Sequence, residues 1–346
     1  MMIVRGIFWL ILIFSGVSAA GQDTLTVYSD SEFPAEQALW QQFAAENGIG
    51  LRTVIENGDT LVARLNRAGT AAPADVIILS DVLRLTALKD QKRLRPDLKK
   101  LSRDAVPGHF RDSGGYWIGL TYWAYGIIHY QPKPPGSPAE SYRDLTAARW
   151  QGQILPGAAV EASTRTLLAG MIARQGRKKT AKWAAGLVSN IAPRPGDSDV
   201  KRILSIASRQ GRFALINTAA LALLADTGDD IKAEVAKAIA LRFPDQDGKG
   251  ALLNLRGAAV GAGARHPEIA RKLIEYLAGA SAQQELGEIR QEFPVRPGVP
   301  LSKWLQAWGS FKADTGSLAK TGKHLREAET ILQNSGWPEG RDRVKR

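Results

Sequence analysis

The side chains that offer chemistry in this chain stand just past the ends of apolar runs. In "LTVYSDSEFPAEQALW", residues 25–40, a strand-like run ends at Tyr28, and Asp30, Glu32 and Phe33 lie at the mouth of a helix opened by Pro34. An acid and an aromatic ring at such a mouth can hold a ligand, because the first N–H groups of a helix have no partners within it. Ser80-Asp81 and Asn217-Thr218 stand at the matching ends of two further apolar runs. The four histidines, His109, His129, His266 and His324, are scattered, and no two have the spacing of zinc ligands or of a proton relay. The chain contains no G-x-S-x-G, no phosphate-cradling G-x-x-x-x-G-K and no dinucleotide fingerprint after its first strand. "GAAVGAG" is glycine-rich without that spacing, and close packing of a strand on a helix accounts for it. Asp197 and Asp199 form a carboxylate pair that reads as helix-capping acids. These residues therefore supply neither a catalytic set nor a nucleotide-cofactor fingerprint.

Composition narrows the setting. A chain of 346 residues can build two lobes, each with its own core. Residues 1–20 read as an export signal: Arg5 is the charged start, residues 7–17 the apolar stretch, and Ser18-Ala19-Ala20 the small residues a signal peptidase accepts. That apolar stretch is too short to span a bilayer, so the expectation is a periplasmic protein freed by cleavage. With 0 cysteines, disulfides, thiolate metal sites and a lipidated N-terminal cysteine are excluded. The net charge of +12 raises the question of a nucleic-acid partner. The basic residues, however, are dispersed, with small clusters at Lys92-Arg93, Lys99-Lys100 and Arg177-Lys178-Lys179 and no binding motif beside them. They read as a solvated basic surface, and residues 341–346 as a frayed basic tail.

The elements that must position the site follow from periodicity. Residues 25–28, 51–55 and 75–80 read as strands, the last an apolar run of the buried parallel kind. Between them lie a helix with Ala35, Ala38, Leu39 and Phe43 on one face, closed by Gly48, and a helix capped by Thr60 with Leu61, Val62 and Leu65 inward. This β-α-β-α-β order implies right-handed crossovers and a parallel sheet. Residues 117–130 form an aromatic-rich extended segment followed by a proline-rich turn, "QPKPPGSP". Helical spacing covers 164–174, 179–189 and 199–208; "GRFALINTAALALL" repeats the strand-turn-helix pattern with Thr218 as its cap. Two strands around a Gly-rich turn follow in residues 239–263, then helices over 266–278, 281–288, 303–311 and 324–333.

The ordered segments "PADVIILSDVLRLTALKDQKRLRP", "WIGLTYWAYGIIHY", "YRDLTAARWQGQI", "GRFALINTA", "FPDQDGKGALLNLRGAAV", "HPEIARKLIEYLAGASAQQEL" and "EFPVRPGV" resemble the periplasmic ferric-iron-binding proteins of bacterial ABC importers, over about residues 25–337. The resemblance implies an α/β, class II periplasmic-binding-protein fold. Its two α/β lobes, residues 21–120 with 243–290 and 121–242 with 291–340, would be joined by a two-stranded hinge and would close on a ligand. It also implies a monomer, and as partners a small-molecule or ion ligand and an ABC permease in the inner membrane.

Ferric ion favours anionic oxygens, and the family supplies tyrosinates with a histidine or carboxylate, often beside an anion held by an arginine. Here Glu32-Phe33 stand where relatives carry His-Tyr, and Ser163 stands where a tyrosine is expected. Ala219-Ala220 replace an adjacent tyrosine pair, and Tyr122-Trp123-Ala124-Tyr125 replace the anion-binding arginine segment. Neither a phenyl ring nor a methyl group coordinates metal, so the expectation is an inherited scaffold without the standard site for Fe3+. The resemblance then assigns to the cleft the acids Asp30, Glu32 and Glu161, the aromatics Phe33, Tyr122, Trp123 and Tyr125, the bases Arg165 and Arg256, and the neutral Ser163, Asn217 and Asn254. Aromatics beside carboxylates suit an organic cation and arginines suit a phosphate or carboxylate, and both stay open. Each assignment has a packing alternative: core or hinge for Trp123 and Tyr125, a surface pair for Glu161 and Arg165, an exposed strand for Arg256, a hydrophobic staple for Phe33. Two rival functions accompany this reading. Tyr28, Tyr122 or Tyr125 could join Asp30, Glu32 or Glu161 in another oxygen site for iron or a ferric chelate, or the chain could be a ligand-sensing protein that presents to a membrane receptor.

Overall fold

Three short apolar runs near the start of the chain become adjacent parallel strands in the computed structural model, which describes residues 23–340 apart from residue 72, residues 132–138 and residues 194–196. The export signal, the basic tail and most of the proline-rich turn lie outside the described residues. β1 (Thr24–Ser29) pairs in parallel with β2 (Gly50–Ile55) and with β3 (Val76–Ser80). Val76, Ile77, Ile78 and Leu79 are fully buried, as expected of a strand covered on both faces. The crossovers are α1 (Pro34–Glu46) and α2 (Gly58–Ala68).

Two local expectations are corrected. On α1 the inward face carries Glu36, Leu39, Trp40, Phe43 and Ala44, while Ala35 and Ala38 are exposed. Burying the Trp40 and Phe43 rings removes far more apolar area from water than burying two methyl groups, so the helix turns to suit the rings and Glu36 goes in with them. On α2 the cap is Asn57, whose side chain accepts from the Asp59 N–H, and Thr60 sits one turn inside.

The later elements are α3 (Val82–Asp90), β4 (Ile118–Tyr130), β5 (Ile154–Leu155), α4 (Ala162–Gln175), α5 (Arg177–Val188) and α6 (Asp199–Ala207). After them come β6 (Phe213–Asn217), α7 (Thr218–Ala225), α8 (Asp230–Lys237), β7 (Ile239–Arg242) and β8 (Leu253–Val260). The chain finishes with α9 (Pro267–Leu277), α10 (Ala280–Arg290), β9 (Phe293–Pro294), α11 (Lys303–Ala307), α12 (Thr315–Thr321) and α13 (Leu325–Ser335). Helix α11 stops four residues short of expectation: Gly309 turns the chain at φ 72°, and Phe311 stacks on Phe243 with ring centroids 3.9 Å apart. The cap of α7 is Asn217, not Thr218, because the Asn217 side chain reaches the Ala219 N–H. No helix of the described residues is long and apolar enough to cross a membrane.

The long strand β4 joins the two α/β lobes. Its first half pairs antiparallel with β8, from Ile118 opposite Ala258 to Ala124 opposite Leu253. Its second half pairs antiparallel with β6 and with β7. β7 and β8 thus lie end to end along β4, and residues 243–252 carry the chain back between the lobes. Leu120 and Ala124 pack into a core with Val27, Trp40 and Ile77, while Tyr125 and Ile127 pack into another with Leu168, Trp183 and Phe213. The change of core falls at the bond between Ala124 and Tyr125. There the Tyr142 hydroxyl donates to the Tyr125 carbonyl at 2.7 Å and accepts from the Leu252 N–H at 3.0 Å, tying both crossing strands to one side chain.

Where β3, β8 and β4 lie side by side, Gly257 stands opposite both Leu79 and Gly119. A Cβ there would meet the Ile118 carbonyl oxygen and Leu85 Cδ1, each at 2.6 Å. Gly257→Ala should lower the unfolding free energy by about 1–3 kcal/mol in urea denaturation. An unchanged midpoint would contradict a fit limited by backbone.

Candidate functional site

Side chains directly opposite each other in an antiparallel pair share a face, and alternate residues along a strand share a face. Thr121, Trp123 and Tyr125 therefore lie on one face of β4 with their partners Arg256, Asn254 and Asn217. Tyr122 points the other way, and its ring stacks between Phe110 and Phe293 at 4.7 and 5.3 Å. The assignment of Tyr122 to the cleft is thus corrected by the period of two, and burial pushes its phenol up to about 12.

On the side of the first lobe this face runs into a buried ion network. Asp30, just past β1, accepts from the Ser80 N–H at 3.0 Å and pairs with Arg256 at 3.1 Å and Arg84 at 3.5 Å. Arg256 is 1% exposed, so the exposed-strand alternative fails, and its guanidinium also lies 3.7 Å from Glu36. Glu36 accepts from the Ser31 hydroxyl at 2.5 Å and pairs with Arg290 at 3.1 Å; Arg290 reaches Glu292 at 3.1 Å, and Glu292 accepts from the Thr121 hydroxyl. Phe33 is the residue before α1, and the Arg290 guanidinium lies 4.6 Å from its ring centre, which replaces the staple alternative with a cation–π contact. Glu32 is exposed at the same helix mouth and makes no hydrogen bond or ion pair among the described residues.

On the side of the second lobe the Tyr125 hydroxyl donates to the Ser163 carbonyl at 2.9 Å and accepts from the Asn254 amide at 3.3 Å. Burial, first among its causes, pushes this phenol well above its usual range. Glu161, the residue before α4, does not pair with Arg165. Arg202 from α6 grips both its oxygens, at 2.7 and 2.9 Å, and reaches Asp199 at 2.6 Å. Asp199 in turn accepts from the Asn217 N–H at 3.2 Å. Arg165 turns away to Asp59 at 3.2 Å and Glu329 at 3.6 Å. The fork of Arg202 outcompetes a single contact within one helix because two parallel charge-assisted bonds are made at once.

The lobes meet again at Asp81, a non-glycine residue at φ 92°. It caps α3 through the Leu83 N–H at 2.8 Å and accepts from the Thr166 hydroxyl of α4 at 2.6 Å. Burial raises its carboxyl pKa against the opposing pull of Arg84. Trp123 is only 5% exposed, yet it belongs to none of the three apolar cores, and its indole N–H has no hydrogen-bond partner among the described residues.

The structure thus gathers Asp30, Arg256, Asn254, Trp123, Tyr125, Ser163 and Asn217 along one floor, with Glu32, Phe33 and Glu161 at its two rims, and leaves Tyr122 and Arg165 outside it. Sequence reading misses Glu36, Arg290, Glu292, Asp199 and Arg202 as its supports. The Asp199-x-x-Arg202 spacing on an amphipathic helix is the one signal that could have pointed to a pair. Of the phenols named for another oxygen site, Tyr28 and Tyr122 pack in the first core and the Tyr125 hydroxyl donates to the Ser163 carbonyl.

Glu36 offers a test of the network. Burial alone would raise its pKa, but Arg256, Arg290 and the Ser31 hydroxyl outweigh it and hold the group below its ordinary 4.5. A lowered acid contributes stability that is fully present above 4.5 and is lost as the pH falls towards the lowered value. Glu36→Gln should cost about 3–5 kcal/mol at neutral pH by leaving buried guanidinium groups without their partner. It should also flatten the loss of stability with acid, which urea unfolding across pH 3–7 reads as a shallower slope; a parallel profile would count against the assignment.

The family model of bacterial extracellular solute-binding proteins matches residues 38–313. Iron uptake protein A1 of Synechocystis is 30% identical over 316 residues, covering 91% of this chain and 88% of that protein. The major ferric iron-binding protein of Neisseria meningitidis is 23% identical over 317 residues, covering 90% of this chain and 92% of that protein. Among solved structures, the Trichodesmium protein IdiA (FutA) in complex with iron and citrate ligands superposes with a TM-score of 0.86 at 29% identity, covering 91% of this chain and 99% of that one. The two lobes on a shared pair of crossing strands, the helix mouths facing one floor and these likenesses together show that the chain belongs to the bacterial extracellular solute-binding proteins, with the ferric-iron-binding proteins among its relatives.

Proposed function

We propose that this protein is the periplasmic solute-binding subunit of an ABC importer, and that its solute is not a bare ferric ion. One observation carries the second half of the reading. The positions that the resemblance aligns with the family's tyrosine ligands bear a phenyl ring at Phe33, a hydroxyl at Ser163 and methyl groups at Ala219 and Ala220, none of them a phenolate oxygen. The phenols that lie nearest are buried, and burial favours their neutral form, which is a poor partner for a hard trivalent cation.

In this reading the lobes meet where β4 changes core between Ala124 and Tyr125, with Phe293, Val295 and Leu318 on the side of the first lobe, and they rotate about β4 and the returning segment 243–252. The solute enters between the mouths of α1, α4 and α7, and its differential contact with both lobes draws them together. The closed form then docks on an inner-membrane permease. Asp81 with Thr166, and Asp59 with Arg165, are contacts made between the lobes that closure or opening would alter.

Titrating the exported protein with ferric citrate should produce no visible tyrosinate-to-iron charge-transfer band. An intense band at one iron per chain would overturn the exclusion of iron.

A further inference from the structure

We infer that the solute is an organic ammonium ion carrying an oxygen acceptor, its charge met by Glu32 and its oxygen by the Trp123 indole N–H. The inference rests on the reading of the crevice as the solute site and adds the chemical class.

The first argument is charge. Every arginine on or beside the floor is turned onto the protein's own carboxylates: Arg256 onto Asp30 and Glu36, Arg290 onto Glu36 and Glu292, Arg202 onto Glu161 and Asp199. An anionic solute would have to displace these buried pairs, and each displacement would leave a carboxylate without its partner. Around the floor itself, acids also outnumber the bases on both sides. In the first, Asp30, Glu32, Glu36 and Glu292 face Arg256 and Arg290, with Arg84 shared between Asp30 and Asp59; in the second, Glu161 and Asp199 face Arg202. A cationic solute meets a deficit that the protein leaves unfilled, and Glu32, exposed and unpaired at the mouth of α1, is the carboxylate able to approach it.

The second argument is independent of charge. Among the described residues several indoles have buried N–H groups without partners, but Trp40, Trp117 and Trp150 lie within the apolar cores. Trp123 lies outside those cores, on the floor, between Thr121 towards one lobe and Tyr125 towards the other. Its ring face suits an ammonium group and its N–H requires an oxygen. The fold already seats one cation on an aromatic ring at this rim, the Arg290 guanidinium on Phe33.

The test is thermal unfolding of the exported protein with 1 mM choline, ethanolamine or carnitine, set beside putrescine, citrate, glucose 6-phosphate and ferric citrate. An oxygen-bearing ammonium ion should raise the midpoint by several degrees, more than any other probe. Its affinity should fall about tenfold in Glu32→Gln, where an exposed side chain changes without disturbing the fold, and further in Trp123→Leu. Calorimetric titration reads both variants, and an undiminished affinity in Glu32→Gln overturns the assignment. A larger shift with citrate, glucose 6-phosphate or putrescine, or no shift with any of the three oxygen-bearing ammonium ions, overturns the inference and leaves the transport reading standing. A tyrosinate band with ferric citrate overturns the inference together with the exclusion of iron.

Discussion

The alternation of side chains along one strand governs this molecule. Because β4 passes through both lobes, its period of two sends Leu120, Tyr122 and Ala124 into packing and Thr121, Trp123 and Tyr125 onto the floor between the lobes. A slip of one residue in its pairing with β8 would exchange the two sets, burying a hydroxyl and an indole N–H in the apolar core and setting leucine on the floor. The extra residue of β4 at Leu120, which shifts the register between Gly119 opposite Gly257 and Thr121 opposite Arg256, is therefore what brings Arg256 and Asn254 to the same face as Trp123. The separation of the cores between Ala124 and Tyr125 makes the same strand both wall and pivot.

The buried charges follow from that placement. Arg256 arrives on the floor with 1% exposure, and a guanidinium out of water must be answered by carboxylates. Asp30 and Glu36 answer it, Arg290 and Glu292 extend the pairing, and Arg202 does the same for Glu161 and Asp199 across the floor. Such networks are weak evidence for stability, but they hold their members in fixed places, and here each arginine is ion-paired with carboxylates of the chain, although Nε and Nη1 of Arg256 donate no hydrogen bond among the described residues. The chemistry offered to a solute is thereby set less by the charged residues that are present than by which of them the protein has not already used.

Much of this was legible in the sequence. The alternation of apolar runs and helical spacing marks the parallel strands β1, β2 and β3, and the order of segments marks the two-lobed architecture. Asp30, Trp123, Asn254 and Asn217 are readable as floor residues because each follows or lies within a recognisable strand. The caps at Asn57 and Asn217 are displaced from Thr60 and Thr218 because a side-chain amide one to three residues earlier reaches the open N–H groups first. The inward turn of Glu36 is hidden because its partners lie 220 and 254 residues away by number, in β8 and at the end of α10. The pair between Glu161 and Arg202 spans 41 residues, and local spacing favours Arg165 instead. Long-range ion pairs are choices among many possible partners, and only the folded geometry makes the choice.

One phenol has a mechanical meaning. The Tyr142 hydroxyl grips the Tyr125 carbonyl with one bond and the Leu252 N–H with another, so both strands that cross between the lobes are riveted at the same height. Stretching either strand relative to the other would break that double grip, whereas turning the lobes about it leaves it whole. The two crossing strands are thus bound at one height, as pages are bound at a spine.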